Sequence, residues 1–81
     1  MVKQNRHVFH SMLTSHDGWV VLLDNEVQSK HANQIEAEAA ANAKSHAFYE
    51  AGGLGRAVFH KADGTIREER TFGEEYESTP G

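Results

Sequence analysis

The chain has 81 residues, no cysteine and a formal net charge of −4. That length allows one domain, and a domain so small buries only about 60% of the surface its unfolded chain exposes, so association with a partner or a second copy would add stability. The missing cysteines exclude disulfides and thiolate zinc sites, and the net acidity argues against phosphate-driven binding of nucleic acid as the general mode.

The charge is uneven. Lys3, Arg6, His7, His10 and His16 precede the first acid, Asp17, whereas Glu68, Glu69, Glu74, Glu75 and Glu77 crowd the other end. The opening MVKQNRHVFHSM is polar and unlike a secretion signal, and no run approaches the ~18 apolar residues of a membrane helix. The expectation is a soluble cytoplasmic protein with no membrane contact.

HVFHSM (7–12) reads as a first strand and LTSHDG (13–18) as a loop. WVVLLD (19–24) is a strand apolar on both faces: Trp19, Val21 and Leu23 point one way, Val20 and Leu22 the other. Asp24-Asn25 suits a hairpin turn, because both residues tolerate positive φ, and EVQSKHA (26–32) returns as a polar strand.

A helix follows at 35–51. Asn33 is its N-cap, and Glu36 three residues later completes a capping-box spacing. Ala37, Ala40, Ala41, Lys44, Ala47, Phe48 and Ala51 form a stripe of small residues, interrupted by Lys44, that lets the helix lie close on a sheet. GGLG (52–55) ends it, with glycine available for a left-handed cap. RAVFHK (56–61) and TIREERTF (65–72) then form a hairpin about Ala62-Asp63-Gly64. On the last strand, strict alternation puts Ile66, Glu68, Arg70 and Phe72 on one face and Arg67, Glu69 and Thr71 on the other. Opposite charges so distributed suit an edge strand that resists pairing with foreign strands. The domain spans 1–73, and 74–81 is an acidic, flexible tail. The fold class is α+β: an antiparallel sheet in the order β-β-β-α-β-β with one helix on one face.

Four segments in this order resemble a family of small bacterial domains, domain of unknown function 2188: HV (7–8), DGWVV (17–21), NQIEAEAAANAKSHA (33–47) and VFHKADGTIREERTFG (58–73). Members look like His-Val, a Gly-Trp strand, a Thr/Gln-x-Glu-Ala helix start, then Val-His-x-x-Asp-Gly-x-Ile and a closing aromatic-Gly. The chain departs from that pattern in the loop 11–16 and in GGLGRA. The resemblance implies an architecture and carries no activity, cofactor or site.

Chemical motifs are sparse. Six histidines raise the question of a metal. His7 and His10, three apart on a strand, point to opposite faces, and no helical His-x3-His spacing is present, so no metal ligand and no cofactor are expected. The histidines also suit a pH-sensitive surface. There is no Gly-x-Ser-x-Gly elbow or phosphate loop, and the neighbours Glu68 and Glu69 face apart, so the expectation is a non-enzyme with no catalytic residue. Phe9, Trp19 and Phe59 are expected to fill the core beneath the helix. Two binding readings remain. In the first, Val20 and Leu22 line an uncovered sheet face that takes a protein partner or a second copy as a homodimer. In the second, the sheet binds nucleic acid, with Arg56, Lys61, Arg67 and Arg70 as contacts. The directions of those four basic residues discriminate the two.

Overall fold

The structure, a computed structural model, describes residues 6–72. The 74–81 tail expected from the sequence lies outside that range. Five strands and one helix follow in chain order: β1 (Arg6–Thr14), β2 (Gly18–Leu23), β3 (Glu26–His31), α1 (Gln34–Glu50), β4 (Leu54–His60) and β5 (Ile66–Phe72). No helix among the described residues is long and apolar enough to cross a membrane.

The α+β class with one helix holds, but the sheet is mixed rather than antiparallel. Its spatial order is β3-β2-β1-β4-β5, and β4 runs parallel to β1 while the other three pairs are antiparallel. The reason is topological. Two hairpins leave β3 pointing the same way as β1; α1 then carries the chain back across the sheet, so β4 enters in that same direction beside β1. A helical crossover delivers a parallel strand, which a count of strands in chain order does not reveal.

Local chemistry fixes the elements. Asp24 and Asn25 both take positive φ, 55° and 67°, which matches the right-handed twist of the β2–β3 hairpin. Asn33 caps α1 by accepting from the Glu36 backbone N–H at 2.8 Å. The Glu36 carboxylate reaches back to the N–H of Ala32 at 3.3 Å, one residue beyond the usual partner of a capping box. After the C-cap Ala51, Gly52 turns the chain at φ 107°.

The core lies between α1 and one sheet face: Phe9, Val21, Ala57 and Phe59 meet Ala41, with Leu23, Ala40 and Phe48 packed around them. Phe9 and Phe59 are buried as expected, whereas Trp19, beyond this cluster, is only half-buried. The helix stripe also differs from the alanine pattern. Ala37, Ala41 and Ser45, four residues apart, are its buried residues, while Ala47 faces solvent. Ser45 is tolerated there because its hydroxyl hydrogen is shared between the carbonyls of Ala41 (2.8 Å) and Arg56 (3.1 Å).

That second bond brings the helix almost onto the backbone of β4. A Cβ placed on Gly55 would stand 2.5 Å from the Ser45 carbonyl oxygen, well inside contact distance. Gly55→Ala is therefore expected to push α1 off the sheet and cost about 1–3 kcal/mol, the range for overpacking a tight interface. Urea unfolding measures it, and an unchanged midpoint would show that the helix has room.

Candidate functional site

The strands divide the side chains between two faces. On the face covered by α1 stand His7, Phe9 and Ser11 of β1, Trp19, Val21 and Leu23 of β2, and Gly55, Ala57 and Phe59 of β4. His7 stacks on Phe48 of the helix with centroids 4.0 Å apart. The opposite face carries Val8, His10 and Met12 of β1, Val20 and Leu22 of β2, and Arg56, Val58 and His60 of β4. Among the described residues, no element packs on this second face.

That face is apolar at its centre. Val20 (0% exposed) and Val58 (4%) are buried there, so the apolar surface this face offers is that of the half-buried Val8, Met12 and Leu22. Val27, the partner of Leu22 on β3, is 43% exposed, and Ile66, the partner of His60 on β5, is 53% exposed. Polar groups interrupt it in two places. His10 and His60 bring ring nitrogens within 2.9 Å. Arg56 pairs with Glu69 at 3.3 Å and donates through Nε to the Thr71 hydroxyl at 3.2 Å.

The four basic residues of the nucleic-acid reading do not gather in one patch. Arg56 lies on the open face, Lys61 is exposed in the β4–β5 loop, and Arg67 and Arg70 serve the seam between β5 and α1. The cause at Arg67 is a β-bulge. Phe59 pairs with Glu68 but His60 pairs with Ile66, so Arg67 is the extra residue. The bulge overturns strict alternation at this end of β5. Ile66 sits opposite His60 on the open face, and Arg67 turns to the helix, where it holds Glu38 bidentately, with Nε donating at 2.9 Å. Arg70 donates to Glu68 at 2.8 Å and reaches the Asn42 amide oxygen at 3.5 Å. Both guanidinium groups lie over the Phe59 ring, 5.8 and 5.5 Å from its centroid.

Glu38, Asn42, Phe59, Arg67 and Arg70, with Ile35 and Ala39, line a groove of about 310 Å³. Its lining holds two arginines and one carboxylate, Glu38; Glu68, outside the lining, pairs with both arginines, so neither guanidinium is left free for an anion. Burial alone would raise the Glu38 pKa, but hydrogen bonds from Arg67 and Gln34 and the charges of Arg67 and Arg70 outweigh it and hold the carboxyl below its ordinary 4.5. The same bonds raise Arg67 above its ordinary value. At the turn, Asp63 lies below its ordinary value because its carboxylate accepts from the Thr65 backbone and hydroxyl.

One other pair bears on chemistry. The Ser29 hydroxyl lies 2.7 Å from His31 Nε2, two residues along the edge strand β3, and neither residue lines the groove described above. No group of three or more His, Cys, Asp or Glu able to hold a metal occurs among the described residues. Sequence reasoning separated His7 from His10 correctly, but it missed the meeting of His10 with His60, which depends on the parallel β1–β4 register.

Comparison with known families places this arrangement. The family described as "Uncharacterized protein conserved in bacteria (DUF2188)" matches residues 7–72, which is all but one of the described residues. The chain belongs to this family. The DUF2188 match runs from the start of β1 to the end of β5, so it takes in both sheet faces, the histidine pair and the β5–α1 seam. No curated protein and no solved structure matches the chain.

The seam yields a pH prediction. A carboxyl lowered in the folded state contributes stability above its unfolded value and loses it as pH falls. The Glu38 contribution should therefore be complete near neutrality and disappear as pH drops below about 4.5. Glu38→Gln should lower Tm by about 2–6 °C at pH 7 and leave a shallower acid limb. Coincident Tm-against-pH curves for the two proteins would count against the seam as a source of stability.

Proposed function

We propose that this domain is a non-enzymatic interaction module that binds a protein partner through the open face of its sheet. The observation that supports the reading is the one-sided layering. Helix α1 covers one face, while the other offers the half-buried Val8, Met12 and Leu22 around the buried Val20 and Val58, with exposed Val27 and Ile66 at its two margins. Apolar surface rimmed by ion-paired groups such as Arg56–Glu69 is a pattern of protein contact surfaces. A second copy of the chain is one form that partner takes, since a self-complementary sheet face gives a two-fold dimer.

Nucleic acid is the weaker reading. Binding of that kind needs free cations beside exposed aromatic rings. Arg56, Arg67 and Arg70 are each paired with a carboxylate and divided between two sides of the sheet, and Phe59 beneath two of them is 2% exposed. Fluorescence anisotropy at low salt with single-stranded DNA and RNA is expected to show no binding at micromolar protein.

The decisive comparison uses Leu22→Lys, which places a charge on the open face, and Ala43→Lys on the exposed side of α1. A partner captured by the wild-type domain, or self-association seen in sedimentation, is expected to survive Ala43→Lys and to be lost with Leu22→Lys, while circular dichroism stays native for both. Capture insensitive to Leu22→Lys would remove the open face from the function.

A further inference from the structure

His10 stands at the middle of β1 and His60 closes β4, and the parallel register, which pairs His10 with Val58, sets His60 diagonally across from it on the open face. Nδ1 of His10 and Nε2 of His60 are 2.9 Å apart while the ring centroids are 5.2 Å apart, so the rings meet nitrogen to nitrogen instead of stacking. His60 Nδ1 lies 3.0 Å from the carbonyl oxygen of Gly64. A carbonyl only accepts, so this nitrogen carries hydrogen. In the neutral ring Nε2 is then the acceptor, and His10 must donate through its own Nδ1–H. The result is a chain of two hydrogen bonds from the central strand through the end of β4 to the turn.

The turn is tied in turn by its own backbone: Gly64 N–H donates to Lys61 O at 2.9 Å and Lys61 N–H donates to Thr65 O at 2.8 Å. The charged group that acts on His10 is Glu69 of β5, itself paired with Arg56 of β4, and Lys61 and Asp63 stand in the turn that follows His60. Leu22, which pairs with His10 from β2, is uncharged. The facing nitrogens point at one another along one line, so they do not converge on a common point as two ligands of one metal ion do.

Counting hydrogens defines the behaviour of the chain. One added proton on His10 Nε2 leaves the Nδ1–H as the single hydrogen between the facing nitrogens, and one on His60 Nε2 does so once His10 moves its own hydrogen to Nε2, so both bonds persist. A second proton puts hydrogen on both nitrogens, and two imidazolium groups then repel at bonding distance. We propose that the His10–His60–Gly64 chain is a proton-controlled clasp, which holds the 61–65 turn to β1 while the pair carries at most one proton and releases it at the second. The clasp stands whether or not the open face binds a partner, but it controls one corner of that face, because Ile66 follows the turn directly.

The electrostatics agree with the geometry. Burial, then the neighbouring His60 ring, lower the His10 pKa below its ordinary 6.5, and the Glu69 carboxylate only partly offsets them. The unfolded chain therefore binds more protons than the native one below about pH 6.5, and stability falls as pH drops from there.

Long-range 1H–15N NMR of the histidine rings from pH 8 to 4.5 reads the clasp directly. Both rings are expected as the Nδ1–H tautomer at pH 8, with protons taken up in two separate steps. Amide exchange protection at Lys61 and Gly64, corrected for intrinsic rates, is expected to fall about fivefold across the second step, the worth of roughly one hydrogen bond. In His10→Phe that fall should vanish. An Nε2–H tautomer on either ring at pH 8, or protection in the wild type that does not change with pH, would overturn the proposal, and both are read without the variant.

Discussion

The approach of α1 to β4 is the constraint from which the remaining structure follows. Ser45 shares its hydroxyl hydrogen with the Arg56 carbonyl, and the Ser45 carbonyl leaves no space for a side chain on Gly55. With Ala37 and Ala41 also buried on the helix, the layers close over small residues, and the large ones, Phe9, Phe48 and Phe59, fill the spaces beside the contact. A helix seated so closely returns the chain beside β1 in the parallel sense. The parallel register then aligns His10 with Val58 and brings His60 within reach. Both faces of the sheet thus depend on a glycine and a serine that have no chemistry of their own.

The charged residues around β5 are used in holding this frame. Around β5, Arg56, Arg67 and Arg70 each find a carboxylate, and Glu38, Glu68 and Glu69 each find a guanidinium. Exposed pairs of this kind are individually worth little. Arg67 with Glu38 differs in being bidentate, with the acid side chain only 14% exposed, and it joins the outermost strand to the helix. The segment 66–72 therefore does structural work, in spite of a charge density that suggests a binding surface.

Much of this was legible in the sequence. Asn33, Glu36, Asp24-Asn25 and the glycines after the helix announced the helix and the turns, because capping and positive φ are local demands met by local residue types. The two-faced strand 19–23 likewise declared that one helix would not cover everything. What stayed hidden was non-local. The parallel pairing of β1 with β4 depends on the route of the crossover, and the His10–His60 contact depends on that pairing. Arg67 was placed on the wrong face because a bulge leaves no mark in a pattern of alternating residues. Ser45 was passed over because a serine in a row of alanines looks like surface until its carbonyl partners are known. The position of Val20 and Leu22 opposite the core was legible from strand alternation, whereas the separation of the four basic residues was not, since ion pairing depends on which acids the fold brings near.

Both outer strands of the sheet carry an extra residue: Gln28 on β3, where Val21 pairs with Ser29 and Leu22 with Val27, and Arg67 on β5. A strand arriving from another molecule meets a broken ladder at either border, and its run of main-chain bonds stops after a few residues. Growth by end-to-end joining of sheets, the geometry of fibres, is thereby obstructed in both directions. A border interrupted in this way is a poor template for a cross-β stack, so the two bulges guard the sheet where its main-chain groups are unpaired.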